Sequence, residues 1–126
     1  MNSLIIKISN SELEVLKLLW QAKRGMTITE IRNILTANTE WEASTIKTLV
    51  RRLCEKKVLK AEKREVFYYT TAVSEQEYNG YATQQMIDRL YGGSAKNLVA
   101  SLIDGNKLTD SDINELRSLL KEGDPK

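Results

Sequence analysis

The chain has 126 residues, 29% of them charged and 41% hydrophobic, with a net charge of +2; this is a folding composition, enough for one domain or a small domain with an appended arm. It contains no His and one Cys, Cys54, which excludes His-based acid–base catalysis, His or multi-Cys metal sites and an intramolecular disulfide. The single Pro, Pro125, leaves every earlier segment free to be helical.

The first helix opens at Ser9 and Glu12, a capping box, and continues through Leu13, Val15, Leu16, Leu18, Leu19 and Trp20 as a core helix, with Gly25 as its stop. The second opens at Thr27 and Glu30 and carries Ile28, Ile31, Ile34 and Leu35 on one side. A third helix, roughly residues 43–57, places Ile46, Leu49, Val50 and Leu53 on one face. Ser44, Lys47, Thr48, Arg51, Arg52 and Glu55 fall on the other.

Val58-Leu59 leads into a strand through Glu62, Lys63-Arg64-Glu65 form a turn, and Val66 to Thr71 are β-rich. Three helices followed by a hairpin is the order of a winged helix-turn-helix. The predicted fold class is therefore mainly α with a small β-hairpin, a winged helix-turn-helix domain over residues 1–73.

Residues 74–126 read as a three-helix arm. Ser74 and Glu77 start a helix that reaches Tyr91, with Gly92-Gly93 as its stop, and Tyr78, Ala82, Met86 and Leu90 recur along it. Ser94 caps a helix carrying Leu98, Val99, Leu102 and Ile103, ended by Gly105. Thr109 and Asp112 open the last, with Ile113, Leu116, Leu119 and Leu120 on one face and Gly123 closing it. Short amphipathic helices after a complete small domain need apolar surface to pack on, and a second copy of the chain is the simplest supply. The expected dimerisation residues are Tyr78, Met86, Leu90, Leu98, Leu102, Ile103, Ile113, Leu116 and Leu120.

The charge divides with the elements. Residues 1–73 hold 13 Lys/Arg against 8 Asp/Glu, and residues 74–126 hold 6 against 9. Between Lys47 and Arg64 there are 8 basic and 2 acidic residues. A basic reading head joined to a mildly acidic arm fits that asymmetry, and a solvated helix face is the plainer alternative.

The third helix has the parts for reading double-stranded DNA. The major groove admits one helix, short hydroxyl side chains allow close approach to bases, and Lys and Arg reach guanine edges and phosphates. The candidate set is Ser44, Thr45, Lys47, Thr48, Arg51 and Arg52, with Lys63 and Arg64 at the hairpin tip. Lys47 is the candidate base contact, and Arg51 and Arg52 the phosphate contacts. Trp41 either covers the start of this helix or touches the DNA backbone, and packing is the favoured reading.

Parts for catalysis are missing: no Gly-rich phosphate loop, no Ser/His or Cys/His pairing and no tight carboxylate cluster occurs. No enzyme activity, metal or cofactor is predicted. Cys54 reads as a half-buried structural thiol, with a redox sensor activated by Arg51, Lys56 and Lys57 as the alternative. Apolar runs such as Val66-Phe67-Tyr68-Tyr69 fall far short of the roughly 20 residues of a membrane span. No membrane partner and a cytoplasmic location are expected.

The segments Ile8 to Val15 and Trp41 to Leu49, with Arg52-Leu53, Phe67-Tyr68-Tyr69 and Tyr91-Gly92-Gly93, closely resemble the penicillinase-repressor family of bacterial transcription factors, the BlaI/MecI/CopY group. The resemblance covers nearly the whole chain. It implies a homodimeric winged-helix repressor that binds a palindromic operator through the third helix and dimerises through the C-terminal helices. The other functional class is a winged-helix protein-interaction module docking an acidic partner through its basic face.

The departures from the family pattern are specific. Glu42-Ala43 replaces a Ser-Pro helix opening, and Lys57-Val58 stands where Lys-Gly is common. The wing turn lacks the usual Gly or Asn. The resemblance implies an Asn-Phe cleavage bond in β-lactam-responsive members, where this chain has Ser101-Leu102, and a Cys-x-Cys tail in copper-responsive ones, where it has no Cys. The switches for a sensor protease and for a metal inducer are both unmatched.

Overall fold

The computed structural model describes residues 8–122. Eight elements follow in order: α1 (Asn10–Ala22), α2 (Ile28–Asn38), α3 (Ala43–Glu55), β1 (Leu59–Lys63), β2 (Phe67–Thr71), α4 (Glu75–Tyr91), α5 (Ala95–Asp104) and α6 (Asp110–Glu122). They form two compact units, Met1–Ala82 and Thr83–Lys126. Gly123, the expected stop of the last helix, lies outside the described residues.

Helix starts are set by reciprocal caps. Ser9 Oγ accepts from the Glu12 amide at 3.1 Å while the Ser9 amide donates to Glu12 Oε1 at 2.8 Å. Thr27 with Glu30, Ser74 with Glu77 and Thr109 with Asp112 repeat the exchange, each satisfying two otherwise orphaned donors. Ser94 caps α5 through the Asn97 amide. α3 has no such cap, because Glu42 makes no side-chain bond to the first turn.

Helix stops fall at the expected glycines after α4 and α5 but not after α1. α1 ends in Lys23, which takes the left-handed conformation at φ 60° and donates to the Leu19 carbonyl. Gly25 answers a different need: a Cβ there would stand 3.0 Å from Thr70 Cγ2, so the loop can approach β2 only without a side chain. That approach lets Met26 exchange two backbone hydrogen bonds with Tyr69, at 3.0 and 2.8 Å, setting a third backbone segment beside β2.

α3 closes in a Schellman motif. Lys57 sits at φ 65°, its amide donates to the Cys54 carbonyl, and the Val58 amide donates to Leu53. Leu53 and Val58 are both buried, giving the motif its apolar contact. α4 stops at Gly92-Gly93, both at positive φ. In α5 the left-handed residue is Asn106 rather than Gly105, which is the cap at φ −84°.

The hairpin is antiparallel, with Leu59 opposite Thr71 and Lys63 opposite Phe67. Lys63 is thus the last strand residue, and the turn falls on Arg64, Glu65 and Val66, closed by the Arg64 amide donating to the Val66 carbonyl at 3.0 Å.

The core of the first unit joins Val15, Leu16 and Leu19 of α1, Met26 of the loop before α2, Ile31 and Leu35 of α2, Ile46, Leu49, Val50 and Leu53 of α3, and Val58, Leu59 and Val73. Truncating one such residue to Ala costs about 2–5 kcal/mol. The start of α4 packs on this core as well. Tyr78 lies 5.9 Å from the Trp20 ring, and Trp20 Nε1 donates to the Val73 carbonyl at 2.9 Å. Trp41 packs partly buried against the same cluster, which is the covering role favoured for it.

Among the described residues of the second unit, Ile87 alone is a buried hydrophobic residue. α5 and α6 have no buried residue. Met86, Leu90, Val99, Ile103, Leu116, Leu119 and Leu120 are exposed, Leu90 at 70% and Leu120 at 74%.

Candidate nucleic-acid interface

The amphipathic spacing of α3 fixes what it offers to solvent. Burying Ile46, Leu49, Val50 and Leu53 turns Ser44, Thr45, Lys47, Arg51 and Arg52 outward, all exposed. Thr48 is half-buried and donates its hydroxyl to the Ser44 carbonyl at 3.0 Å, leaving oxygen lone pairs to accept.

Two of the cations are braced by carboxylates. Arg51 Nη1 donates to Glu55 Oε2 at 3.0 Å one turn along the helix, and Arg64 Nη2 donates to Glu62 Oε1 at 3.3 Å two residues back on β1. Both pairs are exposed, so they orient more than they stabilise. The hairpin adds aromatic platforms. Lys63 Nζ stands 5.6 Å over the Phe67 ring and the Arg64 guanidinium 5.0 Å over Tyr68.

Phe67 and Tyr68 are therefore parts of the wing that the charge reading missed. Their signal was available, because a hairpin folded at residues 64–66 sets Lys63 directly opposite Phe67.

Lys56, counted in the basic stretch, leaves the outward set. Its Nζ donates to Glu12 Oε1 at 2.6 Å, and Glu12 is only 2% exposed. Burial opposes ionisation of Glu12, yet the Lys56 bond and the Ser9 amide outweigh it and hold the carboxyl below the usual glutamate range. Arg24 and Glu30 form an exposed pair at 3.0 Å, and the bonds that Glu30 accepts from Arg24 and from the Thr27 amide lower its pKa.

Cys54 does not fit the redox alternative. Burial raises its thiol pKa, with the Glu55 charge adding to the effect. Two of the three cations expected to activate it are engaged elsewhere, Arg51 on Glu55 and Lys56 on Glu12. A thiol with a raised pKa is a poor nucleophile at neutral pH.

Tyr78 stands apart from the other predicted dimerisation residues. Its ring faces Trp20 in the first unit, and burial raises its phenol pKa. Met86, Leu90, Ile103, Leu116 and Leu120 are exposed on the second unit, while Leu98, Leu102 and Ile113 are half-buried.

Among the described residues, no helix is long and apolar enough to cross a membrane, and no group of three or more Cys, Asp or Glu is placed to hold a metal ion.

Comparison with known proteins agrees with this architecture. Residues 8–122 match the penicillinase repressor family. The penicillinase repressor of Bacillus licheniformis is 31% identical over 119 residues, 94% of this chain and 92% of that protein. The methicillin resistance regulatory protein MecI of Staphylococcus aureus (strain N315) is 28% identical over 123 residues, 97% of this chain and 99% of the relative.

Among solved structures, the DNA-binding domain of the repressor BlaI superposes with a TM-score of 0.52 at 36% identity, covering 59% of this chain and 90% of that one. The monomeric form of Bacillus licheniformis BlaI in complex with the blaP half-operator gives a TM-score of 0.52 at 34% identity, covering 57% and 88%. The chain belongs to the penicillinase repressor family.

Proposed function

We propose that this chain is a sequence-specific DNA-binding transcriptional repressor, without enzyme activity, that works in the cytoplasm as a homodimer on a palindromic operator. The observation that carries this reading is the outward face of α3, where Ser44, Thr45 and Lys47 stand exposed near the helix start beside the Arg51–Arg52 pair. An exposed polar N-terminal half on a helix whose other face is buried meets the steric demand of the major groove. Support also comes from the similar BlaI structure, which is in complex with a half-operator.

In this mechanism Lys47 donates to guanine O6 and N7, Ser44, Thr45 and Thr48 make the close contacts, and Arg51 and Arg52 hold phosphates. Lys63 and Arg64, set over Phe67 and Tyr68, clamp the backbone beside the wing. Residues 74–126 are proposed as the dimer arm that sets the half-site spacing, because exposed Leu and Ile on α5 and α6 require a cover. Two copies would occupy successive major grooves and occlude the promoter.

Selection from a pool of randomised duplexes tests the proposal. Enrichment of an inverted repeat supports it, and recovery of unrelated sequences after repeated rounds overturns it.

A further inference from the structure

A groove runs between α3 and the hairpin. Its cavity of about 360 Å³ is walled by Lys47, Val50, Arg51 and Cys54 on one side and by Ala61, Phe67 and Tyr69 on the other. Ile28, Phe67 and Tyr69 also line a second hollow of about 430 Å³ beneath the wing, reaching Lys63. These sizes fall in the range of small-molecule sites, which are mostly apolar with a few placed polar groups.

The charges on the rim are not equivalent. Arg51 is engaged by Glu55 and Lys63 lies over Phe67. The Lys47 ammonium makes no hydrogen bond or ion pair among the described residues. A free cation above an apolar floor complements a molecule with one negative end and a flat hydrocarbon body.

We propose that this groove binds an amphipathic organic anion, with a carboxylate at Lys47 and an aromatic or aliphatic body across Val50, Ala61 and Phe67. Occupancy neutralises the cation assigned to the base contact, so the ligand and a specific operator compete for Lys47. The chain would then release its operator reversibly. The effect on DNA rests on the function proposed above, whereas binding of the anion does not.

Cys54 lines the groove and, as the sole thiol, reports its occupancy. The test follows alkylation of the full chain by neutral iodoacetamide in the presence of 2-naphthoate or the uncharged 2-naphthamide. Saturating 2-naphthoate is expected to slow the reaction about tenfold, and the amide less than about twofold at the same concentration. Ala61→Phe, which fills the groove from β1, should remove the protection while leaving binding to a random-sequence duplex at low salt unchanged.

Amide shifts on adding 2-naphthoate to the unsubstituted chain should map to residues 47–54 and 61–69. An unchanged alkylation rate with millimolar 2-naphthoate overturns the proposal. So does equal protection by the amide, or a shift pattern confined to the apolar residues of α5 and α6. A chain that binds duplex but not 2-naphthoate refutes the groove alone. One that binds 2-naphthoate but no duplex refutes the repressor reading and leaves the groove standing.

Discussion

Lys56, the C-cap of α3, donates from Nζ to Oε1 of Glu12, the third residue of α1, at 2.6 Å. The same oxygen accepts the Ser9 amide at 2.8 Å, so one buried carboxylate both closes the start of α1 and anchors the end of α3. This contact ties the end of α3 to the start of α1.

Glu12→Gln keeps the shape and the Ser9 bond but removes the charge. It should destabilise the fold by about 1–3 kcal/mol at neutral pH. Because the folded pKa of Glu12 is lowered, its contribution is present above the unfolded carboxylate value, about 4.3, and is lost as pH falls through the folded one. Urea melts from neutral pH down to pH ~3 should therefore converge for the two proteins in acid. Lys56→Met should cost at least as much at neutral pH, since it leaves the buried carboxylate without its cation.

Lys57→Gly should stabilise the chain. Lys57 holds the left-handed position of the Schellman motif at φ 65°, where a side chain costs about 1–2 kcal/mol. Glycine relieves that strain at an entropic cost of about 0.5–1 kcal/mol, for a net gain of about 0.5–1 kcal/mol. A rise in melting temperature of about 2–6 °C is the expected readout.

Lys47→Ala and Arg51→Ala should fail differently. Loss of the base contact should relax sequence preference, costing about 1–3 kcal/mol on the best site and little on random DNA. Loss of the phosphate contact should weaken all sequences alike and lower the salt slope by about one. Competition binding with specific and random duplexes separates the two, and an equal loss of preference from both variants would contradict the assigned roles.

Leu90→Lys and Leu120→Lys address the arm. Among the described residues these two are the most exposed of the large hydrophobics, at 70% and 74%. If a second copy covers them, each charge should raise the dimer dissociation constant by at least about tenfold. Sedimentation velocity over a dilution series measures this, and an unchanged profile would place the dimer contact elsewhere.

Much of this fold was legible in the sequence because its signals are local. Four Ser/Thr-to-acid pairs spaced three apart each became a reciprocal cap, and the 3.6-residue period of α3 divided its faces correctly. What the sequence concealed depends on tertiary neighbours. Lys23 and Lys57 accept the left-handed conformation that glycine usually fills, because backbone bonds and the packing of Leu53 on Val58 hold them there. Gly25 looks like a helix stop, yet its role is set by Thr70, distant in sequence. Lys56 reads as one more surface cation until Glu12 is found buried beside it.

The candidate site was legible as a residue set on α3 and illegible in its bracing. Glu55, Glu62, Phe67 and Tyr68 fix the directions of Arg51, Arg64 and Lys63 only after the helix and hairpin have formed.

Whether the basic face of α3 and the wing bind the phosphate backbone is decided by the salt dependence of duplex binding. With Arg51, Arg52, Lys63 and Arg64 each neutralising a phosphate, the slope of log K against log salt should be about −3 to −4 per protomer. A flat response over the same range of salt would show that these cations do not bind phosphates.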